Sequence, residues 1–205
     1  MPSDGAGMVG MVSLKTTSGK YHGKKAETYD EIRVKQARWT LEQNVIAKWL
    51  AELCPTHVLD CPVGTGRYIP VYRELKIGGV GIDISTEMLD LAKKKNRGQV
   101  LHLERGTAIS TGYGDRAFDC VLCVRFLDLI DETAMRQVVT ELARVSWRWI
   151  ICTIRLGQEY LPKSNTAEHN EKEFWKLVDN LGFAMVKSER FREGSWNILL
   201  LERKQ

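Results

Sequence analysis

From residue 57 onward, short apolar runs alternate with helical patterns, and this alternation constrains the fold more than any other feature of the chain. Strand patterns at residues 57–60, 79–83, 99–103, 118–124 and 149–154 are separated by segments with apolar residues at helical spacing. Alternating β and α units predict a parallel, doubly wound sheet, because each crossover helix must bury its apolar stripe against the sheet. The last two strand patterns, 183–191 and 196–202, have no helix between them. The turn Arg192-Glu193-Gly194-Ser195 is short enough for an antiparallel hairpin. The expected fold is a Rossmann-like α/β domain with a mostly parallel seven-stranded sheet and a C-terminal antiparallel hairpin.

The helices have readable ends. Ser85 caps a helix carrying Met88, Leu89 and Ala92. Asp131 starts another, with Met135, Val138, Val139, Leu142 and Val145 on one face. A third, over 168–181, turns Phe174, Leu177, Val178 and Leu181 inward and is closed by Gly182. Ahead of the sheet, Leu41, Val45, Ile46, Trp49, Leu50 and Leu53 predict an amphipathic helix over roughly 26–53, ended by Pro55. Residues 1–20, rich in Gly, Ser, Thr and Met without periodicity, are expected to form a mobile tail, and 21–205 a single domain. With 205 residues, 43% of them hydrophobic, one core is affordable and a second is not required. The stretch 156–170 is the longest irregular segment inside the fold and is expected to be a lid or a substrate loop.

A net charge of +4 does not argue for nucleic acid or a membrane surface as partner. No secretory signal pattern is present and no run of about 18 apolar residues, so a cytoplasmic location without a membrane partner is expected. Cys120-x-x-Cys123 has the look of half a metal site. It lies within a strand pattern, however, where residues three apart face opposite sides. With Cys54, Cys61 and Cys152 it reads as reduced thiols, and no metal is expected.

The strongest chemical signal is Val58-Leu59-Asp60-Cys61-Pro62-Val63-Gly64-Thr65-Gly66-Arg67, which leaves a strand and opens a helix. In such folds ligands bind at the carboxyl ends of the strands. Gly64 and Gly66 let backbone approach a ligand where a side chain would collide. A dinucleotide fingerprint would place a third glycine where this chain has Ile69, which disfavours a nicotinamide dehydrogenase. Asp60, ending the strand, can draw in an ammonium group directly or through water. Gly81-Ile82-Asp83-Ile84-Ser85 follows the second strand. A carboxylate there can accept hydrogen bonds from both hydroxyls of a ribose, and Ile84 can cover one face of an adenine.

These residues resemble the class I S-adenosylmethionine (SAM)-dependent methyltransferases, in particular a bacterial small-molecule branch. The resemblance rests on Asp60-x-x-x-Gly64-x-Gly66, the turn Pro62-Val63-Gly64-Thr65-Gly66-Arg67, and Gly81-x-Asp83-x-Ser85-x-x-Met88-Leu89-x-x-Ala92. Phe118-Asp119, Arg125-Phe126-Leu127, Glu141-Leu142-Ala143-Arg144-Val145 and Tyr29-Asp30 extend it. It implies SAM as cofactor, S-adenosylhomocysteine (SAH) as product, and a cofactor site of Tyr29, Asp60, Cys61, Pro62, Gly64, Thr65, Gly66, Asp83, Ile84, Met88, Thr107, Ala108, Cys123 and Val124. One departure stands out. The family usually has an acid before Ala108 to hold the adenine amino group, and this chain has Thr107. A neutral acceptor should hold it more weakly.

A methyl acceptor is expected to be a small molecule. The Asn/Asp-Pro-Pro-aromatic signature of base-directed amino methyltransferases is absent, as is a Pro-Cys pair after the fourth strand. Both absences argue against nucleic acid. Candidate catalytic residues are Tyr21, Tyr29, Arg125 and His169. Tyr21, His22 and Tyr29 can close over a sulfonium, since aromatic faces attract cations. Arg125 and Arg155, at the ends of the fourth and fifth strands, can meet an acidic acceptor or serve a structural salt bridge. His169, expected in the loop, is a candidate base or simply a solvated side chain. A non-catalytic SAM- or SAH-binding module is the main alternative function, with a methyltransferase acting on nucleic acid or protein behind it.

Overall fold

The computed structural model describes residues 37–162, 166–190 and 195–205. The elements in order are α1 (Ala37–Leu53), β1 (His57–Asp60), α2 (Ile69–Leu75), β2 (Gly78–Asp83), α3 (Thr86–Lys95), β3 (Leu101–Arg105) and β4 (Phe118–Cys123). A 3-10 turn (Leu127–Leu129) leads into α4 (Glu132–Val145), β5 (Ser146–Gly157), β6 (Leu161–Pro162) and β7 (Ala167–Asn170). The chain ends with α5 (Glu171–Asn180), β8 (Phe183–Arg190) and β9 (Trp196–Arg203).

Strands β1 to β5 are parallel in the order β3-β2-β1-β4-β5. Strand β9 runs antiparallel beside β5, from Trp149 opposite Glu202 to Arg155 opposite Trp196, and β8 pairs antiparallel with β9. These seven strands are the expected sheet with its terminal hairpin. The chain winds outward from β1 through β2 to β3, then returns to β4 on the other side. The crevice opens at that reversal, beyond the carboxyl ends of β1 and β4.

Helices cover both faces. On one, Met135, Val138, Val139 and Leu142 of α4 and Phe174 and Val178 of α5 pack on Val121 and Cys123. On the other, Ile46, Trp49 and Leu50 of α1, Ile69 and Tyr72 of α2, and Leu89 and Ala92 of α3 pack on Val58, Cys120 and Leu122. Cys120 and Cys123 therefore lie in opposite layers, as strand alternation requires. Burial pushes both thiols far above their ordinary range.

The expected elements differ from the observed ones in specific places. Strand β3 starts at Leu101 rather than residue 99, because the Asn96 side chain accepts from the Leu101 N–H at 3.1 Å and donates to its carbonyl at 2.6 Å. Strand β5 is longer at both ends than expected. The stretch 156–170 is not all irregular: Leu156 pairs with His169 in parallel, and β6 pairs with β7. Helix α5 consequently begins at Glu171, with the Asn170 carboxamide oxygen accepting from the Glu173 N–H at 3.0 Å. On α1 the inward stripe is Trp39, Glu42, Ile46, Trp49 and Leu50, while Leu41 is exposed. The tail expected over 1–20 and the helix expected before residue 37 lie outside the described residues.

The segment after β3 is held by one clamp. The Thr111 N–H and hydroxyl donate to Glu141 Oε1 at 2.8 and 2.7 Å, and Arg144 Nη2 donates to the Tyr113 carbonyl at 2.7 Å. The paired Arg144 guanidinium holds the Glu141 carboxyl down at about 2. This clamp fixes the loop that carries Thr107 and Ala108 into the crevice.

Candidate active site

The glycine turn is stitched to the strands on either side of β1. Cys61 N–H donates to the Leu122 carbonyl at 2.9 Å and Val63 N–H to the Ile82 carbonyl at 2.8 Å. Gly64 has φ +55°, and a Cβ there would meet no described atom within 4 Å. Among the described residues, that side of the turn is open. Gly66, at φ +71°, is different: its Cβ would stand 2.5 Å from Ile69 Cδ1 and 3.1 Å from the Ala92 Cα. Gly66 leaves the room that packing of α2 against α3 needs.

Asp83 joins the turn to the second motif. Its Oδ2 accepts from the Gly64 N–H at 2.9 Å and its Oδ1 from the Ser85 N–H at 2.9 Å. A carboxylate offers about four lone-pair sites, so each oxygen keeps one for a further donor. Burial raises the Asp83 carboxyl, against the pull of the backbone donors at Ser85 and Gly64. Asp60, at the end of β1, is 3% exposed and accepts from the Tyr72 hydroxyl at 3.0 Å. Burial pushes its carboxyl up to about 7, with Asp83 adding repulsion and Tyr72 and Arg67 opposing.

Two adjoining clefts share Pro62. The first is lined by Cys61, Pro62, Ile82, Asp83, Ile84, Gly106, Thr107, Ala108 and Phe126. The second is lined by Trp39, Asp60, Pro62, Val63, Gly64, Thr65, Arg67, Tyr68, Val124 and Arg125. The first has the parts a nucleoside needs: an acid with spare lone pairs, flat apolar walls in Ile84 and Phe126, and backbone at 106–108. The second holds the buried acid that can receive an ammonium. A SAM molecule laid across Pro62, with ribose at Asp83 and ammonium at Asp60, suits the residues present.

Of the residues the resemblance implied, Asp60, Cys61, Pro62, Gly64, Thr65, Asp83, Ile84, Thr107, Ala108 and Val124 line one cleft or the other. Gly66, Met88 and Cys123 line neither; Met88 and Cys123 are buried in packing. Tyr21 and Tyr29 lie outside the described residues. The Thr107 hydroxyl is partly spent on its own backbone, accepting from the Ile109 N–H at 3.4 Å.

His169 is not a solvated loop residue. It is fully buried on β7, with Nε2 donating to the Leu127 carbonyl at 2.7 Å and Nδ1 3.0 Å from Glu132 Oε2. Both ring nitrogens face oxygens, so the ring anchors β7 to the start of α4 and has none left for a substrate proton.

Arg125 sits just beyond β4 at φ +56°, its N–H donating to Thr153 Oγ1 at 2.6 Å. Its Nε donates to both oxygens of Glu42, at 2.9 and 3.1 Å, while Arg67 Nη1 binds the same carboxylate from the other side. Arg67 also stacks on Trp39, 3.5 Å from the ring centroid. This buried trio ties α1, the glycine turn and the end of β4 together at the mouth of the second cleft. Glu42 and Trp39 carried a signal in the sequence: they fall on the helical stripe that continues through Ile46, Trp49 and Leu50. An acid on that stripe requires buried cations as partners. Phe126 carried no signal separate from the motif match around it.

Residues 58–146 match the sequence family described as "Methyltransferase domain". No curated protein matches by sequence. Among solved structures, the 1,6-didemethyltoxoflavin-N1-methyltransferase of Burkholderia thailandensis, with bound 1,6-didemethyltoxoflavin and SAH, is 16% identical with a TM-score of 0.75. That match covers 100% of this chain and 94% of the other. The magnesium protoporphyrin IX methyltransferase of Synechocystis PCC 6803, with bound SAM, is 19% identical with a TM-score of 0.69, covering 96% and 92%. The [4+2]-cyclase SpnF is 16% identical with a TM-score of 0.64, covering 78% and 80%. At these identities the likeness is one of fold. The family match spans the glycine turn and the central strands, and the fold of the chain is that of SAM-dependent methyltransferases. No helix among the described residues is long and apolar enough to cross a membrane.

Proposed function

We propose that this protein transfers the methyl group of SAM to a small molecule that enters through the second cleft. The observation that carries the reading is Asp83, one buried carboxylate oriented by both sequence motifs at once and lining the first cleft. The solved relatives named for small-molecule methyl transfer favour the same reading.

Each residue has a defined task. Asp83 accepts from the ribose hydroxyls. Ile84 and Phe126 sandwich the adenine, with Thr107 and Ala108 at its edge. Asp60 receives the ammonium of the amino-acid end. Val124 and Pro62 keep water from the region between the clefts. SAM, when bound, supplies a methyl carbon that the acceptor's lone pair attacks as the carbon–sulfur bond breaks onto sulfur. The protein's contribution is then alignment and exclusion of water. Burial pushes the Tyr68 hydroxyl well above its ordinary range, so it suits hydrogen-bond donation to an acceptor rather than proton removal.

A second reading, a non-catalytic SAM- or SAH-binding module, is favoured by one observation: the Thr107 hydroxyl turns to its own backbone where the family usually holds adenine with an acid. An SAH-release assay over small phenols, amines and carboxylic acids separates the two. Release with at least one acceptor class supports methyl transfer. SAH binding without release from any class favours the binding module, and no SAH binding rejects both.

A further inference from the structure

Four arginines crowd two tryptophans around the carboxyl ends of β4 and β5. The guanidinium carbons of Arg38, Arg125 and Arg155 stand 4.8, 5.4 and 5.8 Å from the Trp196 ring centroid. Arg67 and Arg125 stand 3.5 and 5.4 Å from Trp39. Glu42 accounts for Arg67 and for the Nε of Arg125, and the buried Asp128 carboxylate lies within electrostatic reach of Arg125, Arg155 and Arg38, its Oδ1 accepting no hydrogen bond among the described residues. Three other donors in the group are buried and meet no acceptor among the described residues: Arg125 Nη2, Arg155 Nε and Trp196 Nε1. Arg155 Nη1 donates to Thr166 Oγ1 at 3.5 Å. Buried donors in native proteins are nearly always satisfied, and three lacking a partner around one indole ring call for an acceptor from elsewhere.

The three come together for a topological reason. Arg155 and Trp196 are directly opposite in the β5–β9 ladder, and Arg125 follows β4, the neighbour of β5 on its other side. Arg125 also lines the second cleft with Trp39 and Val124, so the cluster continues from the place where the acceptor has to reach the methyl group.

We infer that the methyl acceptor carries a carboxylate, gripped by Arg125 Nη2, Arg155 Nε and Trp196 Nε1. This rests on the methyl-transfer reading above and names the class of its substrate. A carboxylate has two oxygens and about four lone-pair sites, enough for all three donors. Two of those donors are cationic, which makes the bonds charge-assisted. A neutral amide presents one oxygen and adds N–H groups that would oppose the same donors. The carboxylate is the handle by which the acceptor is held, and the atom that takes the methyl lies elsewhere on it or on the handle itself.

The test uses the full chain saturated with SAH and calorimetric titration of acetate, benzoate, salicylate, benzamide and inorganic phosphate. At least one carboxylate should bind, and benzamide should bind at least about tenfold more weakly than benzoate or not at all. Arg155→Gln should weaken the carboxylate about tenfold and leave SAH affinity unchanged. Trp196→Phe keeps the ring and removes only the N–H, and should weaken the carboxylate several-fold. Binding of no carboxylate, equal binding of benzoate and benzamide, or phosphate binding alone would overturn the inference. So would normal carboxylate binding by folded Arg155→Gln or Trp196→Phe. Carboxylate binding that depends on Arg155 in a protein that does not bind SAH would keep the handle and reject the cofactor reading.

Discussion

The Asp83 carboxylate accepts a hydrogen bond from the Gly64 N–H at 2.9 Å, and through it the end of β2 is locked to the turn after β1. The same side chain caps the approach to α3 through the Ser85 N–H. Two motifs separated by a helix thus converge on one buried anion. Its second lone pairs remain for a ligand. The acid is structural and lines the first cleft at once, so substitutions that test a ligand role must keep its shape.

The two glycines of the turn predict opposite failures. Gly64→Ala should cost only about 1–2 kcal/mol of stability for a left-handed alanine, because no described atom meets the new methyl. It should nonetheless weaken SAH binding, since the methyl enters the cleft. Gly66→Ala adds a close contact with Ile69 and Ala92 to the same backbone penalty and should destabilise by roughly 1–3 kcal/mol more. Chemical denaturation of both variants checks the ranking, and a less stable Gly64→Ala would contradict it.

Asp60 predicts a pH dependence. Its carboxyl titrates at about 7 in the ligand-free protein, and an ammonium ligand favours the ionised form. Binding should therefore release a proton below pH 7. SAH affinity should climb with pH toward 7, by up to about tenfold per unit, and level off above. Asp60→Asn should bind more weakly at pH 8 and show a flat profile over the same range. An affinity for the unaltered protein that does not change between pH 5.5 and 7.5 would refute the assignment.

The buried trio at the cleft mouth predicts a stability effect. Glu42 is 0% exposed between Arg67 and Arg125. Glu42→Gln leaves two guanidinium groups without their counter-charge, at a cost of about 3–5 kcal/mol. The melting temperature should fall by roughly 6–20 °C. An unchanged melting temperature would show that the two cations are solvated rather than held by Glu42.

How far the sequence was readable depended on how local each determinant is. The cleft-lining acids were legible because a turn and a strand end declare themselves within a few residues, as Asp60 and Asp83 do. The opposite layers of Cys120 and Cys123 followed from strand alternation. The β5–β7 pairing was not legible, since Leu156 meets His169 only when the intervening segment folds back beside β5. His169 looked exposed for the same reason: its partners, Glu132 and Leu127, lie far away in sequence. Arg155 and Trp196 likewise become neighbours only through the β5–β9 register, which no local pattern encodes.

Thr107 predicts a gain. It lines the nucleoside cleft beside Ala108, and its hydroxyl is a neutral acceptor already shared with the Ile109 N–H. Thr107→Asp puts a charged acceptor at the adenine edge and should tighten SAH binding by on the order of 1 kcal/mol, roughly fivefold. Weaker binding by a folded variant would mean that the adenine lies elsewhere.

The most direct test of the whole account is calorimetric titration of SAH into the unaltered chain and into Asp83→Asn, with melting curves recorded to show that both are folded. The account predicts one SAH bound per unaltered chain. It predicts an affinity at least about tenfold lower for Asp83→Asn, because the amide loses the charge and half of the acceptor sites that the ribose hydroxyls need. No SAH binding by the folded unaltered chain, or equal affinity in the two proteins, would contradict it.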